Sequence, residues 1–409
     1  MGGDAIDTAG AVTEERARAG REKLRIALFS GNYNYVMDGP VRALNTLVAY
    51  LEKTGHEVLV FAPTTDKPAF EHSGTLISAP SVALPGKRSE YRFSLGLRGA
   101  PLQKLRDFDP TLIHVAAPDY LGYSALRYAR DNAIPAVASF HTRFDTYPRY
   151  YHMGWAEKYL TRYMRHFYGR CEHVYPPSQS MADELRRDGI GKDIRIWTRG
   201  VDSVLFNPNK RDLAWRRSIG FNDEDVVISF VGRLVLEKGI DIFVDAFLKA
   251  RQLAQGARVK ALVVGDGPER GYFQSKIEDA HFAGYQQGEE LARSYASADI
   301  FFNPSITETF GNVTLEAMAC GSPAVCATAA GSRSLVEDGV TGRLAAPNAD
   351  AFAEKLATLI NSPEDRRAFG AAARMRSLDF DWDAVLAELV GHYYEAIAGF
   401  TPYTKRGGA

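Results

Sequence analysis

Twice along this chain, short apolar runs of strand length alternate with stretches of helical periodicity, and that repeated alternation limits the fold more than any other feature. The first series opens with Leu24–Ser30, LRIALFS, then the turn-rich GNYNYVMDGP, then helical spacing from Val41 to Lys53. Gly55, His56 and Glu57 lead into a second apolar run, Val58–Pro63, so the chain begins as a βαβ unit with a parallel sheet. Runs at Leu112–Val115, Ala136–Phe140, His173–Tyr175 and Ile194–Trp197 continue it.

The stretch TRGVDSVLFNPNKRD has turn formers without periodicity and reads as a domain boundary. Alternation then restarts, with strands expected at Val226–Val231, Lys260–Val264, Asp299–Asn303 and Ala324–Ala327, and three helical stretches from about Ala349 to Phe400. The expected organisation is a mobile leader at 1–22, a Rossmann-like domain at 23–200 and a second one at 201–380. A helix and tail at 381–409 would cross back to the first domain. Two doubly wound α/β domains facing each other leave a deep cleft at the carboxyl ends of their strands, where ligands bind.

Bulk properties remove several function classes. A net charge of -1 builds in no general attraction to nucleic acid, so an anionic ligand must be held locally. Cys171, Cys320 and Cys326 have no metal-ligand spacing and suit a reducing, cytoplasmic compartment. No run reaches the roughly 20 apolar residues of a membrane span, which leaves peripheral attachment. Neither half carries G-x-G-x-x-G after its first strand, and no Walker loop, H-E-x-x-H or G-x-S-x-G occurs.

Two constellations carry chemistry. In FVGRLVLEKG a buried strand ends at Gly232, and Arg233 and Lys238 follow before the next helix. A planar fork and a point charge at the mouth of a strand can neutralise a diphosphate. In ETFGNVTLE, Glu308 lies in the loop after Phe301-Phe302-Asn303-Pro304-Ser305, and Glu316 on the helix that follows. Between them Phe310, Gly311, Asn312 and Val313 bring backbone N–H groups to a helix N-terminus, suited to phosphate or sugar hydroxyls, and the Glu316 carboxylate can accept both hydroxyl protons of a ribose.

With VVGDGPE, ETFGNVTLEAMACGSPAV and GVTGRL, these segments resemble the retaining glycosyltransferases of family four, enzymes of the GT-B fold, over residues 24 to 400. The resemblance implies that Arg233 and Lys238 hold the donor pyrophosphate, that Glu316 holds the ribose and that Glu308 lies near the transferred sugar. It also implies retention of anomeric configuration, no metal, and no cofactor beyond the nucleotide-sugar co-substrate. His141, at the strand end in SFHT, matches a histidine that contacts the sugar. Gly39, in DGPVR, matches a glycine loop that approaches donor phosphate, although Pro40 removes one amide donor.

Within that family FHTRFDTYPRYY, IRIWTRGVDSVLFNP and GEELARSYASADIFF are most similar to lipid glycosyltransferases of the sulfoquinovosyldiacylglycerol synthase type. That likeness implies a UDP-linked hexose or hexuronic acid and a membrane lipid acceptor, with a UDP-sugar ahead of a GDP-sugar. The alternative is a GDP-mannose-dependent mannosyltransferase acting on a lipid or polysaccharide precursor. A reading of another class is a non-catalytic nucleotide-sugar-binding scaffold. Arg143 and Arg199 are candidate contacts for an acidic sugar. The aromatic and basic residues between Tyr147 and Arg170 suit an amphipathic helix at an anionic bilayer on the cytoplasmic face of the membrane, or equally a core stripe with a solvated basic side.

Overall fold

The computed structural model describes residues 22–36, 38–83, 92–141, 155 and 157–402. Residues 1–21 of the expected leader, the 403–409 tail and Arg143 lie outside them. Two compact units emerge: one holds the described residues up to Ser139 with Phe167–His173 and the chain from Tyr393, the other those of Phe140–His166 and Val174–His392.

The amino-terminal sheet comprises β1 (Arg25–Phe29), β2 (Glu57–Ala62), β3 (Thr75–Ser78), β6 (Leu112–Val115), β7 (Ala136–Ser139), β8 (His173–Tyr175) and β9 (Asp193–Ile194), in the order β3-β2-β1-β6-β7-β8-β9. A separate antiparallel hairpin joins β4 (Ser81–Ala83) to β5 (Arg92–Ser94). The parallel β1–β2 and β1–β6 pairs put the topological switch beside β1. The helix Gly39–Lys53 after β1 is capped by the Asp38 carboxylate, which accepts from Val41 N at 2.9 Å, with Pro40 in its first turn. Gly39 therefore begins a helix rather than sitting in an open loop.

The second sheet comprises β10 (Val226–Val231), β11 (Val259–Val264), β12 (His281–Gly284), β13 (Ile300–Asn303), β14 (Ala324–Ala327) and β15 (Gly342–Ala345), in the order β12-β11-β10-β13-β14-β15. All its pairings are parallel, so the switch falls between β10 and β13. Parallel strands covered on both faces read as unbroken apolar runs. Ile228, Phe230 and Phe302 enter one core with Phe243 and Phe273, while Val227 and Phe301 enter the other with Tyr295, Leu315 and Met318. Phe243 stacks on Phe302 at 4.9 Å and meets Phe230 edge-on at 5.5 Å.

The three expected carboxy-terminal helices are Ala349–Asn361, Pro363–Ser377 and Trp382–Gly399. The run read as a strand at Ile194–Trp197 is shorter: β9 ends at Ile194, although Arg195 N and Trp197 N still donate to Val174 O and Pro176 O at 3.0 and 2.9 Å. Strands β3, β12 and β15 lacked the signal of an apolar run because their residues are mostly half-buried. Among the described residues no helix is long and apolar enough to cross a membrane.

In the first unit, the His114 imidazole on β6 is wholly buried between the hydroxyls of Tyr393, at 2.6 Å, and Ser139. Burial pushes its pKa down to about 3, so the folded form keeps it neutral while the unfolded chain binds a proton below about pH 6.5. Stability contributed by the neutral ring is thus lost as pH falls through that window. Urea unfolding at pH 7 and pH 5 is expected to show a loss of about 2 kcal/mol from this group, absent in His114→Gln; an equal slope in both proteins would show that His114 does not set it.

Candidate functional site

The crevice between β10 and β13 receives both constellations. After Val231 the chain runs against the loop after β11: Gly232 N donates to Val264 O at 3.0 Å, Leu234 N to Asp266 O at 2.9 Å, and Glu269 N to Leu234 O at 3.0 Å. A Cβ on Gly265 would lie 1.9 Å from Gly232 O, and one on Gly267 2.4 Å from Leu234 O. The two glycines of GDGP thus serve close backbone approach between adjacent loops. They set the path on which Gly232 and Arg233 leave the sheet.

Lys238 closes a single 3₁₀ turn, Leu236–Lys238, before the helix Ile240–Gln252. Its ammonium lies 2.6 Å from Glu308 Oε1, with side-chain exposures of 28% and 18%, so the pair is shielded yet reachable. Arg233 is exposed, and among the described residues its guanidinium has no hydrogen bond or ion pair. One cation is therefore neutralised locally and the other is available to an anion.

The Glu308 loop is held by its backbone. Asn303 Oδ1 accepts from Ser305 N at 3.1 Å, and Glu308 O accepts from Gly331 N at 3.2 Å. Phe310 is buried and meets Phe380 edge-on at 5.9 Å. Gly311 then turns the chain with φ +102°, a left-handed value that favours glycine, and starts the helix Asn312–Ala319. Its carbonyl takes the first intrahelical bonds from Thr314 N and Leu315 N at 3.0 and 3.1 Å, and among the described residues no side chain caps the end. The N–H groups of Asn312 and Val313 precede those bonds, so partial positive charge is concentrated there. Glu316 follows one turn later, where the hydroxyl of fully buried Tyr295 donates to its Oε2 at 3.0 Å.

His141 belongs to the same compact unit. Its carbonyl accepts from Thr309 Oγ1 at 3.3 Å, and Thr309 O accepts from Ser178 Oγ at 3.1 Å. Arg199, 4% exposed, donates from Nη2 to His141 Nδ1 at 2.9 Å and from Nη1 to Trp197 O and Thr198 O at 2.9 and 3.2 Å. Burial pushes its pKa down to about 9, which still leaves a cation at neutral pH. Gly39 lies in the other unit.

Of the aromatic and basic stretch, 147–154 and 156 lie outside the described residues. In the helix Glu157–Tyr168, Met164, Phe167 and Tyr168 are buried while Lys158, Tyr159, Arg162 and Arg165 are exposed. Trp155, 68% exposed, meets Tyr159 edge-on at 6.4 Å. The described part of the stretch thus sends some of its aromatics into the core and leaves others exposed beside basic side chains.

Sequence reasoning missed Tyr295, Thr309, Ser178 and Trp197. Tyr295 could have been found as a hydroxyl on the apolar face of a helical run, GEELARSYAS; the others carry no local signal. Among the described residues no group of three or more His, Cys, Asp or Glu side chains is placed to hold a metal ion.

Two family models match the chain: Glycosyltransferase Family 4 over residues 37–204, and Glycosyl transferases group 1 over residues 212–376. A GDP-mannose-dependent alpha-mannosyltransferase of Mycolicibacterium smegmatis is 36% identical, over 92% of this chain and 98% of that protein. A sulfoquinovosyl transferase of Arabidopsis thaliana is 31% identical, over 92% of this chain and 74% of that protein. In the sucrose-phosphate synthase of Thermosynechococcus elongatus the fold is shared, with TM-score 0.74 and 22% identity over 92% of this chain and all of that one, 100%.

The loop contact at Gly265 has a measurable cost. Gly265→Ala is expected to lower unfolding stability by about 2–3 kcal/mol, through overpacking against backbone that cannot rotate away. An unchanged urea midpoint would show that the two loops separate freely.

Proposed function

Because the chain belongs to the group 1 glycosyl transferases of glycosyltransferase family 4, with the GT-B fold, we propose that it transfers mannose from GDP-mannose to a lipid acceptor, with retention and without a metal. The observation that carries the reading is the convergence on one sheet crevice of exposed Arg233, the Lys238–Glu308 pair, the helix N-terminus at Gly311 and the Tyr295-held Glu316. That set matches a nucleoside diphosphate sugar group by group.

In this reading the diphosphate sits between Arg233, Lys238 and the N–H groups of Asn312 and Val313, and the Glu316 carboxylate accepts from the ribose hydroxyls. The bond between the anomeric carbon and the diphosphate oxygen breaks through an oxocarbenium-like transition state. Negative charge grows on the leaving phosphate, where Arg233, Lys238 and the helix end stabilise it more than in the ground state. The acceptor hydroxyl attacks from the same face, and its proton passes to the leaving phosphate oxygen. Glu308, paired to Lys238, keeps that ammonium in place rather than acting as a nucleophile.

The mannosyltransferase relative covers nearly its whole length and supports the GDP-mannose donor. A second reading, a UDP-linked hexose or hexuronic acid, is favoured by the likeness to the sulfoquinovosyl transferase. Exposed Trp155, Tyr159, Lys158, Arg162 and Arg165 support a lipid acceptor met at an anionic membrane surface on the cytoplasmic side, since such rings and cations suit the headgroup layer.

The deciding experiment is a screen of GDP- and UDP-sugars against lipid extracts, following both nucleoside diphosphate release and glycolipid product, with and without chelator. Mannosyl transfer from GDP-mannose is expected, with an α-linked product; nucleotide binding without transfer from any donor would leave only the scaffold reading. Arg233→Ala is expected to lower kcat/KM roughly 100-fold, and Glu316→Ala to raise the donor KM roughly tenfold. Unchanged kinetics in both variants would mean that the donor lies elsewhere.

A further inference from the structure

We propose that Arg199 is a positioning residue that holds the His141 imidazole in one orientation and as the tautomer carrying its proton on Nε2. The inference rests on the glycosyl transfer proposed above and on the family resemblance by which His141 would contact the transferred sugar. It concerns a residue two positions beyond Trp197, far in sequence from His141 and from every motif of the donor site.

The guanidinium is fixed before it reaches the ring. Nη1 donates to Trp197 O and Thr198 O, and the guanidinium carbon lies 4.7 Å over the Trp197 indole. Trp197 itself is 1% exposed and meets the His141 ring edge-on at 6.0 Å. From that anchored position Nη2 donates to His141 Nδ1 at 2.9 Å. A guanidinium has donors and no acceptor, so Nδ1 must hold the lone pair and the ring proton must sit on Nε2.

The opposite tautomer would aim two N–H groups at each other. An imidazolium would set two cations in contact at a buried site. Meanwhile the Thr309 hydroxyl donates to the His141 carbonyl, so backbone and ring are held from different elements. The outcome is an imidazole presented as a fixed Nε2–H donor, which suits the oxygen of a sugar hydroxyl. A lysine at position 199 offers one charged point and cannot span the two carbonyls and the ring together.

The test reads the tautomer directly. Full-length protein labelled with ¹⁵N-histidine gives long-range ¹H–¹⁵N spectra in which His141 is assigned by its loss in His141→Gln. An unprotonated Nδ1 with a protonated Nε2 at neutral pH is expected in the parent protein. The other tautomer, or an imidazolium, would overturn the proposal. This spectrum needs no substitution at Arg199 and no transferase activity, so it stands apart from failure of the glycosyl-transfer reading.

Kinetics supply the second readout. Arg199→Met is expected to lower kcat roughly tenfold, with a smaller change in donor KM, as removal of a ring-orienting partner commonly does. In His141→Gln, whose amide keeps a donor near the Nε2 position without tautomer control, the same change is expected to cost under about twofold. An equal loss in both backgrounds would show that Arg199 acts only through general stability. If Arg199→Met does not fold, Arg199→Lys is carried through the same cycle: a smaller loss on His141→Gln supports positioning, and an equal loss overturns it.

Discussion

The Arg233–Glu308 cluster of the candidate site depends on the parallel pairing of β10 with β13 on one side and β11 on the other. Parallel strands cannot be joined by tight turns, so each connection crosses over through a helix, and the loops at the carboxyl ends of neighbouring strands collect along one edge. Because the winding direction reverses between β10 and β13, their loops diverge to opposite sides and leave a crevice. Arg233 and Lys238 enter it from β10, Glu308 and the Gly311 helix from β13. The pairing of β10 with β11 extends beyond the strands, where Gly265 and Gly267 allow backbone contacts that side chains would prevent.

On that scaffold the charges are arranged unequally. The Lys238–Glu308 pair satisfies itself, which avoids the cost of an uncompensated, partly buried ammonium and keeps its position defined. Arg233 is solvated and unpaired among the described residues, and the Gly311 helix end carries only partial charge. In the proposed function a diphosphate would thus meet one solvated fork, one pre-positioned cation and one set of fixed dipoles. Two buried polar side chains bond to candidate site residues: Tyr295 to Glu316, and Arg199 to His141. Such groups are tolerated in the core because their polar atoms find partners, and their bonds restrict the rotamers of the carboxylate and imidazole they serve.

The sequence by itself determined the class of fold and which side chains gather on the β10 and β13 loops as a candidate site. Apolar, β-branched runs such as VVISFV and ALVV, bounded by turn formers, read as strands covered on both faces, and the positions of Arg233, Lys238, Glu308 and Glu316 after two such runs were local enough to read directly. Short strands such as Thr75–Ser78 and His281–Gly284 were not legible, because half-buried residues leave no apolar run. Only the tertiary structure decided which residues support the others. Tyr295 precedes Glu316 by 21 positions and Arg199 follows His141 by 58, separations over which neither periodicity nor propensity carries information. Periodicity reports which face of an element is buried; a hydrogen bond between elements depends on how those faces pack, and that is settled only when the chain has folded.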